Sequence, residues 1–382
     1  MKVALNGTAL LSPLTGLGQY TYHLVKSLQD SGQAEVELFY GGGWNRELRS
    51  APTRGIVTMK SLAKRFLPNP YALSRFVQQR TFNRGIRALK PQIYHEPNFL
   101  AFKAEIPSVI TVHDLSWIRF PHTHPIERVR AMDTYFEKGL RRAALVLTDS
   151  VFVKNELMEV FGIGAERIRP IMLGVESLFR PQTADETLPV LQKLALTHGE
   201  YLLAVGTLEP RKNLKVVLRA FAQLPAAFRK RHPLVLVGMK GWHTSEFEAQ
   251  IAPLVQAGEV RELGYLPRED LATVIAGATT LIYPSIYEGF GLPPLEAMAC
   301  GVPVITSNVS SIPEVVGDAG IMLAPHDVDG IADAIRLVAE DADVRRDLAV
   351  KALLRSAEFT WGKCAEQTVE AYRDALKGGA AA

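Results

Sequence analysis

The chain has 382 residues, 47% of them hydrophobic and 22% charged, which is enough to bury a large core and too long for one ordinary domain. No apolar run reaches the roughly 18 residues of a membrane span, and the apolar stretch near Met1-Lys2-Val3-Ala4-Leu5 is too short for a signal-peptide core, so a cytosolic protein is expected. The two cysteines, Cys300 and Cys364, argue against a disulfide framework and a thiolate metal site, and the net charge of +3 conceals a basic first half (residues 1 to 180, net +9) and an acidic remainder (net −6).

Taken in order, short apolar runs at Val3 to Leu5, Val36 to Tyr40, Ile93 to His95, Val109 to Val112, Leu145 to Thr148 and Ile168 to Ile171 read as buried strands. Helical periodicity separates them, most clearly over Tyr20 to Gln29 and Arg128 to Arg142. The scheme repeats with strands at Tyr201 to Val205, Leu234 to Val237, Val260 to Leu263, Thr280 to Tyr283, Val304 to Thr306 and Ile321 to Leu323. Such alternation predicts parallel sheets with right-handed crossovers, and so two doubly wound α/β domains. The joint is placed between Gly174 and His198, where Phe179-Arg180-Pro181 and the polar residues Gln182 to Thr187 break the pattern. Between Glu47 and Glu96 there are ten basic residues and no acidic one, interleaved with Phe66, Tyr71, Phe76 and Phe82. Residues 49–90 therefore form either a solvated basic face or a contact with an anionic membrane surface; nucleic acid is not expected, since no binding motif accompanies the charge.

The chemistry concentrates in Tyr287 to Val304, where Glu288 and Glu296 have seven residues between them. Pro293 and Pro294 suit a helix start, and Gly301 with Pro303 marks its end, so Leu295 to Cys300 is predicted as a short helix. Gly289 and Gly291, flanking Phe290 and followed by Leu292, let backbone approach a ligand, with the helix N-terminus behind them for a phosphate. Glu296 can accept from a ribose diol, and Glu288 can face the group carried beyond the phosphates. After the strand ending at Val205 and the turn at Gly206, Arg211 and Lys212 can grip a diphosphate, one by its planar fork and the other as a point charge. Gly16 and Gly18 follow the first strand; without a third glycine they do not make a dinucleotide fingerprint, and they read as backbone N–H donors to a diphosphate or acceptor, or as a simple turn.

The run from Tyr287 to Val304 resembles the E-x7-E signature of retaining GT-B glycosyltransferases, in particular the large family with bacterial mannosyltransferases and sucrose synthase-like enzymes. Leu202 to Leu214 is similar to that family's strand, glycine turn and Arg-Lys pair. The resemblance implies a GT-B fold, two Rossmann-like domains facing a central cleft: residues 1–178 for the acceptor, 179–363 for the nucleotide sugar, and a final helix at about 364–378 packing back on the first domain. It implies that His113, at a strand's carboxyl end, contacts the transferred sugar, with Asp114 orienting it, meeting the acceptor or capping the turn. His95 is a further acceptor-side candidate. Gly238, with Lys240, is expected near the donor, and Tyr265 and Leu266 in the segment Gly264 to Pro267 near the base.

No metal and no cofactor besides the donor are expected. Asp327-Val328-Asp329 and Asp341-Ala342-Asp343 look like carboxylate pairs for a metal, but the first suits a cap before a helix and the second a solvated helix. The leaving diphosphate then relies on Arg211, Lys212 and the helix start. Retention is implied by the resemblance, with front-face attack by an acceptor hydroxyl. Likeness of Thr207 to Asn213 and Lys240 to Trp242 to mannosyltransferase-type members implies GDP-mannose as donor, with a saccharide or lipid-linked saccharide acceptor in cell-surface polysaccharide synthesis. A hydrolysing nucleotide-sugar epimerase and a catalytically silent sugar binder are the alternatives.

Overall fold

A computed structural model describes residues 1–12, 14, 16–49, 70–239 and 245–379. The chain divides into two compact units, the first from the described residues of Met1–Ile118, His124–Gly174 and Trp361–Ala382, the second from those of Arg119–Thr123 and Val175–Thr360.

The first unit is built on a seven-stranded sheet of β1 (Lys2–Asn6), β2 (Glu35–Phe39), β3 (Trp44–Asn45), β4 (Ile93–Glu96), β5 (Ser108–Val112), β6 (Leu145–Thr148) and β7 (Ile168–Pro170). Its order is β3-β2-β1-β4-β5-β6-β7, parallel throughout except that β3 pairs antiparallel with β2. Burial on both faces explains why the strands read as continuous apolar runs rather than as alternation. Phe39, Phe82, Tyr94, Phe99, Phe102 and Phe136 dominate one core cluster. The C-terminal helix Trp361–Gly379 belongs to this unit: its Tyr372 is fully buried, and its Trp361 stacks on His23 of the helix Gly16–Asp30.

The second unit holds β8 (Leu202–Val205), β9 (Leu234–Val237), β10 (Val260–Gly264), β11 (Thr280–Tyr283), β12 (Val304–Ser307) and β13 (Ile321–Leu323) in the order β10-β9-β8-β11-β12-β13, all parallel. The order reverses between β8 and β11, and in such sheets ligands bind outside the carboxyl ends of the strands at that point. Separate core clusters cover the two sheet faces.

Two expectations are corrected here. Gln182 to Thr187 does not break the pattern but opens the helix Ala184–Lys193: Thr183 accepts from the Glu186 amide while the Glu186 side chain returns to the Thr183 amide, a complete capping box. The helix predicted at Leu295 to Cys300 starts earlier and spans Leu292–Ala299, with Gly291 as its N-cap. Both prolines therefore lie inside its first turn, and because neither has an N–H, the backbone donors of that turn reduce to those around Gly291 and Leu292.

Of the basic stretch, residues 50–69 lie outside the described ones. The helix Pro70–Leu89 turns Phe82 and Ile86 into the core, and the half-buried Arg75 donates to the carbonyls of Leu100 (3.1 Å) and Ala101 (2.8 Å). Phe76 and Val77 are 55% and 56% exposed, with Arg80 over the Phe76 ring. No described helix is long and apolar enough to cross a membrane.

Candidate active site

In the second unit Arg211, Lys212 and Glu288 converge at the reversal between β8 and β11. Gly206 ends β8 at φ +144°, and Gly238 ends β9 at φ +152°. Their backbones touch: a Cβ on Gly238 would lie 1.9 Å from the Gly206 carbonyl oxygen, so no other residue fits. Gly206 donates its N–H to Val237 and Gly238 donates to Gly264, both at 2.9 Å, fixing three strand ends together. Beside them a pocket of about 310 Å³ is lined by Leu208, Leu236, Gly238, Glu262, Leu263 and Gly264. Tyr265 is 57% exposed at its margin in sequence, and Leu266 is half-buried. Lys240 lies outside the described residues.

Arg211 and Lys212 sit in a single 3-10 turn, Pro210–Lys212, closed by Asn213 in the left-handed region. Asn213 ties that turn down by donating to the carbonyls of Pro284 (3.0 Å) and Pro325 (2.5 Å). Both cations are largely buried. Lys212 Nζ donates to Glu288 Oε1 (2.6 Å) and to the Tyr283 hydroxyl (2.7 Å), which itself donates to Glu288 Oε1 (2.7 Å). Arg211 donates to Glu288 Oε2 (3.0 Å), the Tyr287 carbonyl (2.7 Å) and Glu209 (2.7 Å), and Ser285 adds a bond to Glu288 Oε1 (2.5 Å).

Burial pushes the Glu288 carboxyl upward, but Lys212 and Arg211 more than reverse it and hold it at about 2. Lys212 moves downward instead, because burial and the neighbouring Arg211 outweigh the attraction of Glu288. Both Glu288 oxygens are thus engaged by the cations and hydroxyls around it, so the carboxylate and the Arg-Lys pair are held together. Its turn is held from β12's far end, where Ser310 accepts from the Glu288 amide (3.0 Å) and Ser311 donates to the carbonyls of Glu288 (2.9 Å) and Phe290 (2.8 Å). Gly289 and Gly291 are buried in that turn, Gly291 at φ +123°, and Phe290 packs on Phe359.

Glu296, 3% exposed, points to Arg268, whose guanidinium donates to Glu296 Oε1 at 2.7 Å and to Glu176. Asp327 and Asp341 are helix caps, accepting from the amides of Gly330 and of Asp343 and Val344. Asp341 thus opens a helix of its own instead of lying within one.

In the first unit Gly16 and Gly18 begin the helix Gly16–Asp30, Gly16 exposed and Gly18 buried against Leu14. His113 follows β5 and is enclosed by the rings of Tyr20 and Phe99. Its Nδ1 lies 2.6 Å from Asp149 Oδ2 and its Nε2 lies 2.9 Å from the Pro97 carbonyl oxygen. A carboxylate at one nitrogen and a carbonyl at the other suit a ring with hydrogen on both nitrogens, the imidazolium form. Burial pulls its pKa down, but the Asp149 charge and these hydrogen bonds raise it overall. Asp149 itself rises because burial dominates there. Both His113 ring nitrogens are thus engaged within the first unit. Asp114 caps the turn to Ser116, accepting from its amide (3.0 Å) and hydroxyl (2.7 Å), and His124 reaches that hydroxyl (2.9 Å).

His95, expected on the acceptor side, is a core residue. It is fully buried, bonded to Tyr372 and Thr111 at 2.7 Å each, and burial together with His113 depresses its pKa to about 3, so it is neutral. Its neighbour Glu96 is also fully buried. It receives Asn6 on both oxygens (3.0 and 2.9 Å), the Tyr94 hydroxyl (2.5 Å) and the Asn98 amide (3.0 Å), yet burial carries its pKa up to about 7.

Two Rossmann-type units, one with paired cations against a buried glutamate at its strand-order reversal, define a glycosyltransferase of the GT-B fold. Residues 14–177 match the Glycosyltransferase Family 4 model, and residues 191–354 match that of Glycosyl transferases group 1. The chain is 38% identical to the O-antigen chain mannosyltransferase B of Escherichia coli over 382 residues, 98% of this chain and 100% of that one. It is 31% identical over 240 residues to the serotype-specific mannosyltransferase WbdA of Escherichia coli, covering 62% of this chain and 29% of that protein. Among solved structures it resembles Anabaena Alr3699/HepE in complex with UDP-glucose (TM-score 0.73, 20% identity, 98% and 99% of the two chains). It also resembles WaaG, a glycosyltransferase involved in lipopolysaccharide biosynthesis (0.72, 16%, 97% and 99%). The chain belongs to the glycosyltransferase group 1 family.

Proposed function

We propose that the protein is a retaining, metal-independent mannosyltransferase that moves mannose from GDP-mannose onto a saccharide or lipid-linked saccharide acceptor of a cell-surface polysaccharide. The observation that carries this is the Arg211-Lys212-Glu288 cluster at the carboxyl ends of β8 and β11, in a chain matched end to end by an O-antigen mannosyltransferase. Tyr283 and Glu288 take two hydrogens of the Lys212 ammonium; its third can reach a phosphate oxygen without breaking either bond. Arg211 and Lys212 supply the positive charge that stabilises the departing diphosphate, and Glu288 keeps both in place while it leaves. Glu296 is assigned to the ribose, the pocket beside Gly238 and Gly264 to the base, and the first unit, through Gly18, His113 and Asp114, to the acceptor. A carboxylate pinned by four side chains and ionised down to about pH 2 is a poor nucleophile, which supports front-face attack by the acceptor hydroxyl over a glycosyl-enzyme intermediate. The exposed Phe76 and Val77 with Arg80, Arg84 and Arg87 support a peripheral contact with an anionic bilayer.

Calorimetric titration with GDP, UDP, dTDP and ADP in the presence of EDTA tests the donor and the metal independence together. GDP binding undiminished by EDTA is the expected result, followed by transfer from GDP-mannose with the anomeric configuration kept in the product. Preference for another base, or binding restored only by a divalent cation, refutes the corresponding part.

A further inference from the structure

Arg268 is absorbed by none of these roles, yet it is the polar hub of the second unit's ligand-side helices. It is the first residue of the helix Arg268–Ala276, directly after the segment Gly264 to Pro267 assigned to the base. Its Nε donates to Glu176 Oε1 (2.7 Å), and one terminal nitrogen reaches Glu296 Oε1 (2.7 Å) and Glu176 Oε1 (2.6 Å). The guanidinium lies over the Phe179 ring, 4.4 Å from its centroid, and Phe179 is buried. A planar cation forked between two carboxylates and stacked on a ring has one geometry available, whereas a long side chain held by a single contact has many.

That rigidity matters because of Glu296. Its side chain is 4% exposed and sits in the second turn of the helix Leu292–Ala299, where its rotamer decides whether a carboxylate oxygen faces a ligand or the core. We infer that Arg268 is a positioning residue that fixes the Glu296 carboxylate for a ribose diol, so that the discrimination between ribo- and deoxyribonucleotides depends on a side chain that does not itself touch the sugar. The inference rests on the assignment of Glu296 to the ribose. Glu176 and Phe179 are the other half of the device: they hold the guanidinium from the segment that opens the unit, so the ribose contact is braced from outside the site.

The test measures the affinity ratio of GDP to 2′-deoxy-GDP, and in parallel of UDP to 2′-deoxy-UDP, for the full-length wild type, Glu296→Gln, Arg268→Met and Arg268→Lys. One charge-assisted hydrogen bond predicts a wild-type ratio of about tenfold or more with the preferred base. Glu296→Gln should bring the ratio close to one. Arg268→Met, which keeps the stem over Phe179 and removes every donor, should lower it likewise while leaving the affinity for the deoxynucleotide within about twofold of wild type. Arg268→Lys keeps the charge without the fork and should give an intermediate ratio; if the Met variant does not fold, this variant decides.

A wild-type ratio retained in the Arg268 variants while Glu296→Gln abolishes it overturns the inference and leaves the ribose assignment standing. Equal weakening of both nucleotides by Arg268→Met overturns it too, since that result places Arg268 on the phosphates or in the scaffold. A wild type that does not discriminate, or a Glu296→Gln variant that still does, removes the ribose assignment and the inference with it.

Discussion

Replacing Glu288 by Gln removes one charge from a buried cluster whose other members stay, and the consequence can be worked out from the surroundings. The native carboxyl is held at about 2 against an ordinary 4.5, by Lys212 and Arg211 acting against its burial. A depression of about 2.5 units at 1.36 kcal/mol each is about 3.4 kcal/mol of stability. The folded-state pKa lies below the unfolded one, so this stability is present above about pH 4.5 and is lost as pH falls toward 2. Lys212 offsets part of it, since its own pKa goes down on folding.

At neutral pH the variant leaves Lys212 without its carboxylate beside Arg211, which keeps Glu209, and losses of about 3–5 kcal/mol are typical when one partner of a buried pair is removed. Urea unfolding of both proteins, followed by circular dichroism, gives the difference at each pH. It should shrink by about 2 kcal/mol between pH 7 and pH 3, where the unfolded glutamate is mostly protonated and the native one is not. A difference as large at pH 3 as at pH 7 would show that the carboxylate is not held by its cations, and the assigned organising role would fall.

Gly238→Ala should cost about 3 kcal/mol or more, from a left-handed backbone and a Cβ in the Gly206 carbonyl; Gly258→Ala, at φ +73° with nothing nearby, should cost about 1 kcal/mol, and equal melting temperatures refute the close approach. His113 has a raised pKa, so the stability it gives is complete below about pH 6.5 and declines as pH rises through its folded value. Asp149→Asn should abolish that decline and the doubly protonated ring signals in nitrogen-15 NMR; a wild-type ring already neutral at pH 6.5 contradicts the imidazolium. Glu96 is the mirror case of Glu288: raised to about 7 with only uncharged donors in contact, it should cost the wild type about 3 kcal/mol between pH 4.5 and pH 7.5. A Glu96→Gln protein whose stability over that interval falls as much as wild type excludes it as the titrating group.

Most of the two sheets was legible because parallel strands buried on both faces are short, uninterrupted apolar runs, as in Leu234 to Val237. The two-residue strand Trp44–Asn45 carries no such signal: it pairs antiparallel at an edge and half of it is polar. Thr183 and Glu186 did carry one, the capping-box spacing, which polar composition masked. At the site, the residue types at strand ends pointed to Arg211, Lys212, Glu288 and Glu296, but not to what each would touch. Asp149 meets His113 across 36 positions and Tyr372 meets His95 across 277, and no local pattern reports either pairing. The partners of Glu288 and His95 were hidden for the same reason, since they come from distant parts of the chain.

The C-terminal helix has a consequence for synthesis. Unit 2 enters at Val175 and leaves at Thr360, residues joined side by side by a parallel bridge, and it can close as soon as that stretch has left the ribosome. Unit 1 cannot: the buried Tyr372 that completes its core arrives nearly two hundred residues after Gly174, so for the interval in which unit 2 is made, the nascent first unit carries His95 without its hydroxyl partner and an uncovered apolar face. The second unit can close before the helix Trp361–Gly379 emerges, and the first cannot.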